Sequence, residues 1–174
     1  MLPDYLCPGL DIVLVGINPG LRSEEKGHHF AGPGNRFWPL LADCGLTPEK
    51  LSYRQDHQLV DYGVGLTNIV SCASASSSDL KAGDYARGRR ELSDKIVRLR
   101  PRFVGFVGVT VFREFWPVLS RERAPRTIPC GLRPETIGDS QLFVLPNPSG
   151  RNAHFSYEQM LQHWQELAGV VRNA

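Results

Sequence analysis

Four stretches of the chain are apolar almost without interruption. Residues 11–17 (D-I-V-L-V-G-I) stop at Asn18-Pro19-Gly20, and residues 141–145 (Q-L-F-V-L) stop at Pro146-Asn147-Pro148. Residues 63–70 (G-V-G-L-T-N-I-V) and 102–108 (R-F-V-G-F-V-G) look alike. Short runs of this kind, rich in β-branched and aromatic side chains, are characteristic of strands buried on both faces of a parallel sheet. Between them the period lengthens to that of helices, over about residues 35–44, 85–99, 110–119 and 157–171. In the second of these, Leu92, Ile96 and Leu99 share one face while arginines take the other. Strands alternating with helices predict an α/β fold, a three-layer α/β/α sandwich around a central, mostly parallel sheet of four to five strands. No repeat or linker interrupts residues 1–174, so one domain is expected, with residues 71–79 and 121–133 as loops. In such sheets ligands bind beyond the carboxyl ends of the strands, and Asn18, Asn68, Gly108 and Asn147 all fall at or near that address.

Composition narrows the class. Of 174 residues, 41% are hydrophobic and 22% charged, as in a folded soluble chain rather than a disordered one. The longest apolar uncharged run, residues 103–112, is half of what a membrane span needs, about twenty residues. The first residues show no basic segment followed by an apolar stretch, so no secretory signal is expected. Cys7, Cys44, Cys72 and Cys130 lie far apart with no C-x-x-C pair, which argues against zinc ribbons and cysteine-held clusters and for a reduced, intracellular protein. The net charge is only +2, yet residues 81–133 carry +8 and the remainder −6. Sixteen of the twenty basic residues are arginine, the side chain best suited to bidentate phosphate contacts. That segment reads either as a solvated helix face with a basic loop or as a polyanion-binding surface.

Two loops carry candidate chemistry. The first is Gly16-Ile17-Asn18-Pro19-Gly20, followed by G-H-H-F-A-G-P-G and then N-R-F-W. A strand entering a glycine turn often presents backbone N–H groups to an anion; the alternative is a tight turn in which Asn18 bonds its own backbone. Neither G-x-G-x-x-G nor G-x-x-x-x-G-K-[ST] occurs, so nucleotide-cradling loops of those types are not expected. His28 and His29 are adjacent and have no helically spaced partner, so they read as solvated loop residues rather than metal ligands. Phe30 is either a core anchor or an exposed stacking platform. The second loop, Pro146-Asn147-Pro148-Ser149-Gly150-Arg151-Asn152, is stiffened by two prolines and puts Arg151 on its tip. Ser156 and Gln159 after it form a capping-box pattern for the last helix. No G-x-S-x-G and no cysteine beside a plausible base supports nucleophilic catalysis.

Taken in order, G-I-N-P-G-L, G-H-H-F-A-G-P-G-N-R-F-W, Y-G-V-G-L-T-N-I-V and P-N-P-S-G-R-N-A resemble the mismatch-specific uracil-DNA and thymine-DNA glycosylases of the uracil-DNA glycosylase superfamily, from about Leu10 to the last helix. The resemblance implies a monofunctional enzyme, without metal or cofactor, that excises uracil, and sometimes thymine or related bases, opposite guanine and leaves an abasic site. It implies that Asn18 positions the attacking water, that the Ile17 N–H bonds the uracil carbonyl, and that Phe30 stacks on the flipped base. Asn68, which matches the thymine-processing branch where some bacterial relatives carry lysine, is expected to bond the base or hold the water. Asn147 and Ser149 are expected to line the pocket and contact the sugar–phosphate, and Gly150, Arg151 and Asn152 to meet the duplex. Arg151 stands where bacterial relatives place an apolar wedge, and the thymine-processing branch also has arginine there. Ala153 replaces an arginine of some bacterial members.

The resemblance also implies that Ser23 falls where family members place a small side chain near the 5-position of the base; its hydroxyl would crowd a methyl group there, so uracil is expected over thymine. A carboxylate could supplement Asn18; Asp61, Asp79, Asp84 and Asp94 are the candidates. Lys26, Lys50, Lys81 and Lys95 lie outside the strand-end motifs, so base release without strand cleavage is expected. The implied partner is double-stranded DNA carrying G·U or related mismatches, not a membrane, met by a monomer in a bacterial cytoplasm. The rival readings are a non-catalytic lesion binder on the same fold and a small-molecule nucleotide hydrolase.

Overall fold

The computed structural model describes all 174 residues. Strands β1 (Ile12–Gly16), β2 (Val64–Asn68), β3 (Phe103–Val107), β4 (Gly131–Ile137) and β5 (Ser140–Leu145) form one sheet in the order β2-β1-β3-β5-β4. The first four in that order run parallel, with Gly16 beside Asn68 and Val107 beside Leu145, so their carboxyl ends make a single rim. The order reverses at β1, which has β2 on one side and β3 on the other, the arrangement that opens a crevice at the rim.

Each central strand is buried on both faces, and alternate residues serve opposite layers. Ile12, Leu14, Leu66, Phe103 and Phe143 pack under α2 (Phe37–Asp43), α5 (Tyr157–Asn173) and a 3₁₀ segment, Tyr53–Tyr62. Val13, Val15, Val104, Phe106 and Val144 pack under α3 (Ala82–Leu99) and α4 (Val109–Leu119). Burying side chains of that size contributes about 1.5–3 kcal/mol each, so the rim is held by the stiffest part of the molecule. The capping box of α5 forms as its sequence predicts, with Ser156 Oγ accepting from Gln159 N at 3.2 Å and Gln159 Oε1 accepting from Ser156 N at 2.9 Å.

Three elements depart from the sequence expectation. Strand β4 begins inside the stretch expected to be a loop and pairs antiparallel with β5 at the sheet edge. It contains Pro134 and a register shift between Leu132 and Thr136, both tolerated only because no strand lies beyond it. A short helix, α1 (Leu21–Lys26), follows the first glycine turn, and the 3₁₀ segment fills the connection into β2. Neither carries an apolar stripe long enough to read. Six of the thirteen basic residues of the 81–133 stretch are paired where they lie: Arg87, Arg89, Lys95, Arg100, Arg102 and Arg133 meet Asp84, Glu114, Asp4, Asp139, Asp11 and Glu135.

Candidate active site

At the rim lies a cavity of about 320 Å3, within the range of about 300–1,000 Å3 usual for small-molecule sites. Its walls come from the ends of β1 (Gly16, Ile17, Asn18), β2 (Asn68), β3 (Val107, Gly108) and β5 (Asn147), the first turn of α4, α1 (Ser23), and the loop carrying His29 and Phe30. The four strand-end positions singled out from sequence, Asn18, Asn68, Gly108 and Asn147, therefore share one cavity. The open N–H groups at the start of α4 face a site biased toward negative charge.

The Asn18 carboxamide has a fixed orientation. Its nitrogen donates to Ser74 Oγ at 2.8 Å, to the Cys72 carbonyl at 3.1 Å and to the Pro19 carbonyl at 3.1 Å. Ser74 Oγ spends its own hydrogen on the Ser76 carbonyl at 2.6 Å, so toward Asn18 it acts only as an acceptor. With Nδ2 committed to acceptors, Oδ1 is the free end, an acceptor available to a water molecule. The backbone N–H groups of Ile17 and Asn18 find no partner within the protein, leaving two donors at the same turn. Gly16 has no room for a side chain: a Cβ there would lie 2.3 Å from Asn68 Oδ1 and 3.7 Å from the Phe30 ring. The glycine lets the Asn68 amide and the aromatic ring close over the strand end, and the Asn68 side chain makes no bond within the protein.

Phe30 answers to both alternatives left open by the sequence. Its ring stacks on Phe37 with centroids 3.8 Å apart and planes 11° from parallel, while the residue also lines the cavity. Phe37 is fully buried and meets Trp38 and Trp164 edge-on, so the platform has a rigid backing. Phe30 has φ of 52°, a left-handed backbone that costs a non-glycine residue about 1–2 kcal/mol. The amides on either side hold it there: His29 N donates to Asp56 Oδ2 at 2.9 Å, and Ala31 N to Ser23 Oγ at 3.1 Å.

That anchoring corrects the reading of His29 as solvated and shows His28 half-buried. His29 is 2% exposed, with Nε2 2.8 Å from the Pro3 carbonyl, and His28 Nδ1 lies 3.0 Å from Asp56 Oδ1. Bonding to a carbonyl puts the His29 hydrogen on Nε2. Burial lowers the His29 pKa, opposed by that same bond and by Asp56, so the imidazole beside the cavity is held neutral. Asp56 itself has no exposed surface. Burial, reinforced by Asp56, pushes the Tyr5 phenol up to about 12. Sequence reasoning missed Asp56, which sits in the 3₁₀ segment and meets partners 27 and 28 positions away.

No carboxylate lines the cavity, so the structure sets aside the four candidates named to assist Asn18. Asp79 bonds Ser76 N, Asp84 caps α3 and pairs with Arg87, and Asp61 and Asp94 lie elsewhere. Ser149 also falls outside the cavity. It lines an adjoining groove of about 400 Å3 with Arg151, Asn152, His154 and Phe155, which meets the cavity at Val109, Thr110 and Asn147. Asn147 Oδ1 accepts from Ser149 N at 2.9 Å, closing the turn. The Asn152 side chain, expected to contact the duplex, lines this groove and also braces the loop: Nδ2 donates to the Asn147 carbonyl at 2.9 Å and Oδ1 accepts from His154 N at 2.9 Å. Arg151 is exposed at the tip, beside the exposed Gly150. No three histidine, cysteine or carboxylate side chains gather where they could hold a metal ion, and no helix is long and apolar enough to cross a membrane.

Comparison with known proteins adds three findings. The sequence profile of the uracil DNA glycosylase superfamily matches residues 3–168. A protein of Schizosaccharomyces pombe (strain 972 / ATCC 24843), described as a G/U mismatch-specific uracil DNA glycosylase, is 36% identical over 173 residues, 98% of this chain and 53% of its own length. The chain thus spans about half the length of that relative. A solution NMR structure from Methanosarcina acetivorans, provisionally assigned as a uracil DNA glycosylase, matches with a TM-score of 0.66 at 18% identity, covering 98% of this chain and 96% of that one. At that identity the likeness is one of fold.

Proposed function

The chain belongs to the uracil DNA glycosylase superfamily, and from that premise we propose that it removes uracil from G·U mismatches in double-stranded DNA by hydrolysing the N-glycosidic bond. The observation that carries this reading is the locked Asn18 carboxamide, its oxygen left free in a rim cavity roofed by an aromatic platform. The substrate follows from the relative named for G/U mismatches, which aligns with nearly the whole chain.

The extruded uracil enters the cavity and stacks on Phe30. As the C1′–N1 bond breaks, its electron pair leaves with the base and positive charge builds on the sugar. The Ile17 N–H, with no partner in the protein, bonds the uracil carbonyl and favours the departing anion, as does the start of α4. Asn68 bonds the same base. Water held on Asn18 Oδ1 adds to C1′; one of its protons passes to solvent, and the base anion takes up a proton as it leaves. An amide suffices for this role because the water meets a sugar that already carries most of the positive charge. Ser23 stands at the 5-position and disfavours thymine. Arg151 fills the gap left in the duplex. None of the four lysines lines the cavity, so the product is an abasic site in an intact strand. We place the protein as a monomer acting on cytoplasmic, nucleoid DNA.

The test is incubation with end-labelled duplexes holding G·U, A·U or G·T, and with single-stranded uracil, each followed by alkali. Alkali-dependent cleavage at G·U, with less at G·T, supports the proposal. Binding of the G·U duplex without any alkali-labile product refutes excision and leaves a lesion binder.

A further inference from the structure

Arg36, the second residue of N-R-F-W, does something the sequence did not announce. It stands at the start of α2, yet every hydrogen bond it donates runs to the turn between β5 and α5, more than a hundred positions away. Its backbone N–H donates to the Pro148 carbonyl at 2.9 Å. Its Nη2 donates to the Ser149 carbonyl at 2.6 Å and to the Asn152 carbonyl at 3.1 Å, with Nε 3.5 Å from the Pro148 carbonyl. The two loops touch so closely that a Cβ on Gly150 would lie 2.9 Å from the Gly34 carbonyl oxygen. One half-buried guanidinium therefore gathers the carbonyls that flank Arg151 on both sides.

We propose that Arg36 is a positioning residue, which holds the 147–152 turn in the shape that presents Arg151 to the duplex. The proposal rests on the glycosylase reading above. Two physical points carry it. Carbonyl oxygens left open at a surface that meets phosphates would repel them; here three are committed to a cation instead. The planar fork also meets several acceptors at once, which an ammonium on a flexible stem does not. The next residue, Phe37, is the backing of the Phe30 platform. The start of α2 therefore sets the distance between the tip that opens the stack and the ring that receives the base.

The experiment uses Arg36→Ala and Arg36→Lys in the whole protein, with two readouts. The first is amide hydrogen exchange without DNA. Arg36→Ala is expected to speed exchange in residues 147–155 at least tenfold, leaving β1 and β3 unchanged, and Arg36→Lys to recover less than half of that protection. The second is single-turnover excision. Arg36→Ala is expected to lose at least tenfold on paired G·U and less than threefold on single-stranded uracil, where no stack is opened. Equal losses on the two substrates, or unchanged exchange in the turn, overturn the positioning role. If Arg36→Ala does not fold, the same two comparisons are made with Arg36→Lys, with smaller losses of the same pattern. Should the parent protein excise nothing from either substrate, the glycosylase reading fails, while the exchange result still decides whether Arg36 holds the turn.

Discussion

Replacing Asp56 by alanine tests whether the loop that presents Phe30 is held from behind. The carboxylate is fully buried and accepts from the buried His29 N–H at 2.9 Å, with His28 Nδ1 at 3.0 Å. Removing it strands the His29 N–H, at about 1–3 kcal/mol for an unsatisfied buried donor. His28 is only half-buried and can turn to water, so it adds less. A cavity penalty adds to the loss, while release from burying a charge offsets part of it. The net expectation is about 3 kcal/mol, which in a chain of this size lowers Tm by about 6–12 °C. Asp56→Asn keeps an oxygen for the His29 N–H and is expected to cost about 1 kcal/mol. Urea unfolding followed by circular dichroism measures both. Because Phe30 keeps its left-handed backbone only while the flanking amides are pinned, excision from G·U is expected to fall at least tenfold in Asp56→Ala and to recover largely in Asp56→Asn. An Asp56→Ala protein within 0.5 kcal/mol of the parent, excising at the parent rate, would refute the anchoring argument.

Three further outcomes are expected. Asn18→Ala should lower single-turnover excision by about 10²–10³-fold, the scale of losing one oriented group, with duplex binding nearly intact by gel shift; parental rates would remove Asn18 from the reaction. Ser23→Ala should lower excision overall, because Ala31 N loses the acceptor that pins Phe30, yet raise the ratio of G·T to G·U excision several-fold, since it opens the 5-position; an unchanged ratio would place the methyl group elsewhere. Acidification should destabilise the fold through His29. Its lowered pKa means that the unfolded chain takes up the proton first, so this contribution is complete above the unfolded value of about 6.5 and is lost as pH falls below it. Urea midpoints between pH 5 and 7.5 should therefore slope less in His29→Gln, and identical slopes would contradict the burial argument.

The parts of this fold that a single sequence discloses are those whose signal is local. The runs ending at Asn18, Asn68, Gly108 and Asn147 announce buried strands because both faces of each are covered, and a shared rim follows from their parallel order. Strand β4 escaped because an edge strand with Pro134 and an exposed Leu132 has neither the run nor the clean alternation. The failures at the site have one cause. Asp56, Arg36 and Ser74 act on residues 27 to 116 positions away, and nothing in the residues beside them marks those partners. The burial of His29 is hidden for the same reason, since it depends on Pro3 and Asp56.

The two turns that end β1 and β5 share a detail with a chemical consequence. Asn18 is followed by Pro19 and Asn147 by Pro148. Spontaneous deamidation of asparagine starts with attack of the next residue's backbone nitrogen on the side-chain amide, closing a five-membered imide. Proline has no N–H to make that attack, so this route to aspartate is closed at both positions. Conversion of Asn18 would put a second acceptor against Ser74 Oγ and the Cys72 carbonyl, in place of the donor that now orients the side chain. These two amides are thus shielded from that route, in a protein whose proposed substrate arises when cytosine loses its own amino group to water.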